Sequence, residues 1–140
     1  MASVRKEIGI DAPASVCWDA LRDFGGLHER LAKGFVTAAV MVDETDRELT
    51  FANGAVARER LVGIDEASMR LAYTVVDSPL GSTHHNASAQ IVPAGPGQCT
   101  FVWITDVLPD ELAPRIADLM AAGLSAIKAT LEAASPATPG

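Results

Sequence analysis

Apolar and polar residues alternate along much of the chain, and this alternation is typical of β-strands. The first alternating segment covers residues 4–10. After Gly34, segments rich in β-branched residues are separated by turn-forming Gly, Pro, Asn and Asp, with Asn53-Gly54 as the strongest turn signal. These further strands are predicted at residues 35–42, 48–51, 56–64, 70–76, 82–92 and 98–107. We therefore expect an antiparallel sheet of about seven strands.

Two short helices are predicted between the first and second strands. A proline in the first turn, followed by Val16, Trp18 and Leu21, indicates that the first begins soon after residue 12. Gly25-Gly26 ends it, and residues 27–31 form the second.

A long amphipathic helix is predicted at residues 110–134, because apolar residues recur there at helical spacing. Asp110 is expected to be its N-cap. A meandering sheet must bury one face, and this helix is the predicted element able to cover it. The sequence therefore predicts a single α+β domain over residues 1–134, followed by a disordered tail at residues 135–140.

Composition and charge restrict the class of protein. The 140 residues carry a net charge of -7 and are 49% hydrophobic, which fits one folded domain. An acidic surface argues against nucleic acid and anionic membranes as main partners. No apolar run approaches the roughly 18 residues of a membrane span, and the first residues lack the apolar core of a signal peptide. We therefore expect a cytoplasmic protein.

The sequence gives no support for a metal or cofactor site. Cys17 and Cys99 form no Cys-x-x-Cys pair, and we expect two reduced, buried thiols. His84 and His85 are neighbours on a predicted strand, so they point to opposite faces and cannot bind one metal ion together. His28 alone does not complete a site. We predict no metal and no cofactor.

Three stretches resemble the START-like superfamily, also called SRPBCC, and especially its polyketide cyclase/dehydrase-like branch. They are IGIDAPASVCWDALRDFGGLHERL, ARERLVGIDEASMRLAYTVVDSP and TFVWITDVLP. The resemblance implies a helix-grip fold, in which a curved antiparallel sheet wraps around a long C-terminal helix and two short helices follow the first strand. The superfamily includes lipid carriers, hormone receptors and cyclases, so the resemblance implies an apolar ligand without identifying it.

The sequence is also similar to the plant abscisic-acid receptors of this superfamily. The two gate motifs of those receptors, Ser-Gly-Leu-Pro-Ala and His-Arg-Leu, are missing, so a hormone-receptor role is not expected. Carried over position by position, their cavity residues fall on Glu59, Tyr73, Ile116, Met120 and Leu124.

Strand alternation assigns the faces independently of any resemblance. Even positions of residues 82–91 are polar, so His85 is expected to face the core. Glu59 is expected inward too, because the alternative would bury both Arg58 and Arg60. Each has an alternative: Glu59 could pair with a surface Arg at a sheet edge, and His85 could be a core histidine hydrogen-bonded to Tyr73 or to a backbone carbonyl. The predicted apolar lining of the cavity is Leu61, Val75, Ala87, Ala89, Trp103, Ile116, Met120 and Leu124.

Three functions are compatible with this pattern. The first is binding of an apolar or amphipathic small molecule, such as an aromatic polyketide, an isoprenoid or a lipid, with Glu59, Tyr73 and His85 fixing its orientation. The second is a cofactor-independent cyclase or dehydratase. There Glu59 would be the acid or base, His85 would move protons near neutral pH, and Tyr73 would polarise a carbonyl. The third is a protein-interaction or regulatory module, and a homodimer is compatible with each.

Overall fold

The computed structural model describes residues 1–135, which form one sheet, two α-helices and three short helical turns. The strands are β1 (Ala2–Ile10), β2 (Val36–Met41), β3 (Asp46–Phe51), β4 (Val56–Asp65), β5 (Arg70–Asp77), β6 (His84–Pro93) and β7 (Cys99–Leu108). The α-helices are α1 (Ala14–Arg22) and α2 (Ala113–Ala134). The short turns are Phe24–Gly26, Leu27–Leu31 and Asp110–Leu112. Apart from Ser135, the predicted tail lies outside the described residues.

The seven strands form one antiparallel sheet in the order β1-β7-β6-β5-β4-β3-β2. Consecutive strands from β2 to β7 are neighbours, and β1 pairs with β7, so that Ala2 lies opposite Val107 and Ile10 opposite Cys99. Register shifts between β2 and β3, and between β4 and β5, mark bulges that increase twist and bending. The sheet curves around α2, and the predicted α+β helix-grip fold is confirmed.

Alternation along the strands determines which side chains lie beneath α2. In β6 the odd-numbered Ala87, Ala89 and Ile91 are buried, whereas the even-numbered residues between them are less so. In β7 the buried Phe101 and the half-buried Trp103 belong to the inward set, which agrees with the predicted place of Trp103 in the cavity wall. The faces of these two strands were therefore predictable from the sequence.

An ionic cluster on the convex side of the sheet holds β3 and β4 together. The Nε atoms of Arg58 and Arg60 each lie 2.8 Å from a carboxylate oxygen of Asp46, whose side chain is fully buried beneath them. Arg60 and, to a lesser extent, Arg58 hold the pKa of this carboxyl well below its usual range. With both arginines turned outward, Glu59 between them faces the concave side.

The start of the last helix differs from the prediction. Asp110 lies in the short turn Asp110–Leu112, and α2 itself begins at Ala113 with Pro114 in its first turn. The side chain of Asp110 caps no backbone N–H, and its carboxylate lies 3.3 Å from the amino group of Met1 instead. The predicted N-cap is therefore wrong, because an N-terminal proline begins the helix and Asp110 pairs with the chain terminus.

The two cysteines are far apart in sequence and in contact in the fold. Cys17 in α1 and Cys99 in β7 are both buried, with their Sγ atoms 3.5 Å apart. Burial raises the pKa of Cys17 to about 12, and it raises the pKa of Cys99 as well. Because the thiolate is the reactive form, these thiols act as core side chains that join α1 to the sheet.

Candidate functional site

A cavity of about 330 Å³ lies between the concave face of the sheet and α2. This volume falls within the range of about 300–1,000 Å³ that is usual for small-molecule sites. Its walls are mainly apolar, with side chains from β3, β5, β7, α1 and α2. Representative wall residues are Leu21, Leu49, Leu71, Phe101, Met120 and Ile127. Apolar packing is therefore incomplete between the sheet and α2.

Most of the residues predicted for this cavity line it. The polar candidates Glu59, Tyr73 and His85 all contribute to its walls. The predicted apolar residues that line it are Val75, Ala89, Trp103, Ile116 and Met120.

Three predicted residues do not line the cavity. Ala87 is buried between its strand neighbours Tyr73 and Thr105, which line the cavity on either side of it. Leu61 packs against the core next to a bulge in β4. Leu124 is buried in the core beside the stripe of α2 that faces the cavity. Their assignment to the cavity wall is therefore corrected.

A buried ion pair forms the polar part of the wall. Arg47 and Glu59 are directly opposite each other on β3 and β4, and their side chains are only 7% and 9% exposed. The Nε and Nη2 atoms of Arg47 donate to Oε1 of Glu59 at 3.1 and 2.7 Å. Nη1 donates to the carbonyl oxygen of Phe24 at 2.9 Å, and the guanidinium lies 3.6 Å from the centre of the Phe24 ring. A pair this well bonded keeps two charges inside the core.

One oxygen of Glu59 is left for a ligand. Both hydrogen bonds from Arg47 fall on Oε1, and Oε2 accepts none from the residues that the structure describes. Glu59 lines the cavity, so this second oxygen is an acceptor available to a donor group inside it.

Tyr73 supplies a hydroxyl group to the same cavity. Its oxygen accepts a hydrogen bond from Nε1 of Trp103 at 3.2 Å, while its own O–H donates to no group within residues 1–135. Burial, together with the charge of Glu59, raises the pKa of Tyr73, so the phenol stays protonated. A Cβ on Gly123 would come within 3.0 Å of the Trp103 ring, which means that this glycine makes room for the indole.

His85 is a neutral group at the cavity wall. Its Nδ1 is buried and has no hydrogen-bond partner in the described part of the chain. Burial, aided by the nearby His84, lowers the pKa of His85 to about 4. The role expected from the sequence, proton movement near neutral pH, is therefore corrected to that of an uncharged hydrogen-bonding group. The alternative hydrogen bond between His85 and Tyr73 is not made either, and the Tyr73 oxygen is bonded to Nε1 of Trp103 instead.

Over the described residues, His, Cys, Asp and Glu side chains do not come together in any group of three that could hold a metal ion. None of the helices in residues 1–135 combines the length and apolar character that crossing a membrane requires.

The family of the protein follows from a match across nearly the whole chain. Residues 1–132 match the family described as polyketide cyclase / dehydrase and lipid transport. The chain belongs to this family. Among curated proteins, none matches the sequence. The resemblance to the START-like superfamily and its polyketide cyclase/dehydrase-like branch is confirmed.

Solved structures agree with this assignment. A protein from Thermobifida fusca is 30% identical, with a TM-score of 0.77 and coverage of 95% of each chain. A START superfamily protein from Mycobacterium smegmatis is 16% identical, with a TM-score of 0.73 and coverage of 95% of this chain and 96% of that one. The Zhui aromatase/cyclase from Streptomyces sp. R1128 is also 16% identical, with a TM-score of 0.78 and coverage of 94% and 93%. At 16% identity the likeness shows the fold alone.

Arg47 is the functional candidate that sequence reasoning missed. The predicted strand began at residue 48, which left Arg47 just outside it. One signal could have found it, since Arg47 shares alternation with the apolar Leu49 and Phe51 and so belongs to the inward set. The pairing of Glu59 with an arginine was foreseen only for a sheet edge, whereas both side chains are inside.

The protonation of His85 gives a direct test of its burial. We expect the imidazole to stay neutral until the pH falls to about 4, as NMR titration of its ring protons would show. The unfolded chain binds a proton at a pKa of about 6.5, so the stability that neutral His85 contributes is present above that pH and is lost between about 6.5 and 4. His85→Phe should lose stability less steeply over this interval. A midpoint near 6.5 for His85 in the folded protein would contradict the assignment.

Proposed function

We propose that this protein binds an apolar or amphipathic small molecule in the cavity between the sheet and α2. The observation that carries the proposal is the combination of apolar walls with polar atoms that lack partners. Apolar walls provide affinity in proportion to buried area, and a few polar groups fix orientation. In an ordinary filled core, such polar atoms would be paired with protein groups.

The cavity volume limits the size of the ligand. A water molecule occupies about 30 Å³ of liquid, so 330 Å³ accommodates on the order of ten groups of that size. A molecule with one or two rings, or a medium-length chain, fits this volume. An aromatic polyketide fragment, an isoprenoid and a lipid fragment all meet this limit.

The polar atoms select neutral hydroxyl and carbonyl groups inside the cavity. Oε2 of Glu59 can accept from a ligand hydroxyl, and the O–H of Tyr73 can donate to a ligand oxygen. Because Arg47 already pairs with Glu59, the pair as a whole carries no net charge to attract an ion. A phenol or a hydroxyketone is the chemistry that these groups match.

A cyclase or dehydratase activity is the second candidate, and the same two groups favour it. Enolisation of a ketone needs a donor on the carbonyl oxygen and a base for the α-proton. Tyr73 has an uncommitted O–H and Glu59 has an uncommitted carboxylate oxygen in one cavity. The structural likeness to the Zhui aromatase/cyclase supports this candidate at the level of the fold.

The remaining expectations stay predictions. The net charge of -7 supports a function without nucleic acid as partner. A cytoplasmic location, a homodimer and a role as a protein-interaction module have no further observation in their favour.

Filling the cavity should abolish binding without unfolding the protein. In Ala89→Trp the indole enters space that is already empty, so we expect affinity for 2-naphthol to fall at least about tenfold while thermal unfolding changes little. Ser88→Trp places the same side chain on the opposite face of β6 and should keep binding. Calorimetric titration measures the affinity, and circular dichroism follows unfolding. Loss of several kcal/mol of stability in Ala89→Trp would show that the space is packed.

Removing the hydroxyl group of Tyr73 tests its role in ligand binding and in catalysis separately. Glu59→Gln would leave the buried Arg47 charge without its partner, at a cost of about 3–5 kcal/mol, so Tyr73→Phe is the cleaner variant. We expect it to weaken 2-naphthol binding by about 0.5–1.5 kcal/mol and to leave naphthalene binding unchanged, because only 2-naphthol hydrogen-bonds to it.

The same variant tests the enzyme candidate. If the protein enolises ketones, deuterium uptake by 2-tetralone should be faster than in buffer and about a hundredfold slower in Tyr73→Phe, while the ketone still binds. Absence of uptake by the wild-type protein, with 2-naphthol still bound, leaves binding as the function. Equal 2-naphthol affinity of the wild type and Tyr73→Phe would contradict the role given to Tyr73.

A further inference from the structure

We infer that the ligand is a monoanionic amphiphile whose carboxylate lies at the cavity mouth against Arg115, with its apolar body inside. This inference rests on the proposed binding function and adds the charge and the orientation of the ligand. It depends on where charged groups stand along the cavity.

The mouth is defined by the cavity-lining residues that are exposed to solvent. These are Ala52, Asn53, Pro79, Arg115 and Leu119. They come from the turn between β3 and β4, the loop after β5 and the first turns of α2. Arg115 is the ionisable side chain among them, so any charged group of a ligand that reaches the mouth meets a guanidinium.

Arg115 has no ion pair within residues 1–135. Its neighbours along α2 include Glu111 and Asp118, yet neither carboxylate approaches within 4.0 Å of its nitrogens. The other Lys and Arg side chains without an ion pair in that range do not line the cavity; they are Lys6, Lys33 and Arg70. On a chain with a net charge of -7, one uncompensated cation therefore stands at the cavity mouth.

The interior of the cavity disfavours an anion. Arg47 is the other lining cation, and its Nε and Nη2 atoms are already bonded to Glu59. The free Oε2 of Glu59 would repel a second carboxylate, and taking an unpaired charge out of water is costly. An acidic ligand is consequently bound with its carboxylate outward and its neutral end toward Glu59 and Tyr73.

The chemistry of arginine suits this position. A guanidinium donates two parallel hydrogen bonds to a carboxylate, and its aliphatic stem can lie along apolar surface such as that of Leu119. Both partners remain partly solvated at the mouth, so the contribution to affinity is moderate and depends on salt concentration.

The test compares two probes that differ in charge. The probes are 6-hydroxy-2-naphthoate and its neutral amide, 6-hydroxy-2-naphthamide, and calorimetric titration measures both dissociation constants at neutral pH and low salt. We expect the wild-type protein to bind the acid about two- to tenfold more tightly than the amide. Arg115→Gln should remove this preference by weakening binding of the acid more than binding of the amide, and Arg115→Lys should retain part of it.

Arg70→Gln is the matched control, because it makes the same change in net charge at an exposed, unpaired arginine away from the cavity. It should keep the preference for the acid. Equal affinities for the two probes in the wild type, a preference that survives Arg115→Gln, or the same loss in Arg70→Gln would each overturn the inference while binding itself stands. If neither probe binds and 2-naphthol does not bind either, the proposed function fails and this inference fails with it.

Discussion

The curved sheet encloses more volume than one helix can fill. Bulges in β2–β3 and β4–β5 bend the strands around α2, and the side chains of α2 reach only part of the concave surface. Where a facing residue is small, as at Ala89, the gap stays open. Apolar walls around empty space lose packing contacts that a bound molecule would restore. The cavity is therefore a consequence of the architecture, and its wall residues set what can enter it.

The buried Arg47–Glu59 pair gives this apolar space its polar end. The two charges are tolerated inside the core because they pair at 2.7 Å. The guanidinium of Arg47 also donates to the carbonyl oxygen of Phe24 and lies over the Phe24 ring. The ion cluster on the other face, where Arg58 and Arg60 meet Asp46, holds the same two strands from outside. The β3–β4 pair therefore carries charged side chains on both faces of the sheet, and each buried charge there has a partner of opposite sign.

The interior and the mouth of the cavity differ in charge, and this difference fixes the orientation of the proposed ligand. The interior offers uncharged hydrogen-bonding partners, because the Arg47–Glu59 pair is neutral overall, Tyr73 stays protonated and His85 is uncharged near neutral pH. The mouth offers one cation, Arg115. A binding site organised in this way suits a molecule with a neutral polar end and an acidic end.

Much of the fold could be predicted from the sequence, because alternation and helical spacing are local patterns. They located all seven strands, the inward faces of β6 and β7, the inward position of Glu59 and the stripe of Ile116 and Met120 on α2. The family was recognisable for the same reason, since its characteristic stretches follow this order of elements.

Contacts between distant residues were decided by the tertiary structure alone. The partner of Glu59 is Arg47 because the β3–β4 register sets them opposite each other. Cys17 meets Cys99 because α1 packs against the sheet at β6, beside the start of β7. The placement of the neighbouring strands and of α2 leaves Ala87 and Leu124 outside the cavity. The placement of α2 also brings Arg115 to the cavity mouth. The sequence by itself determined the order of elements and the faces of the strands, since both depend on residues close together in the chain. Which side chains meet across the fold depends on register, bulges and helix position, and these are set by packing.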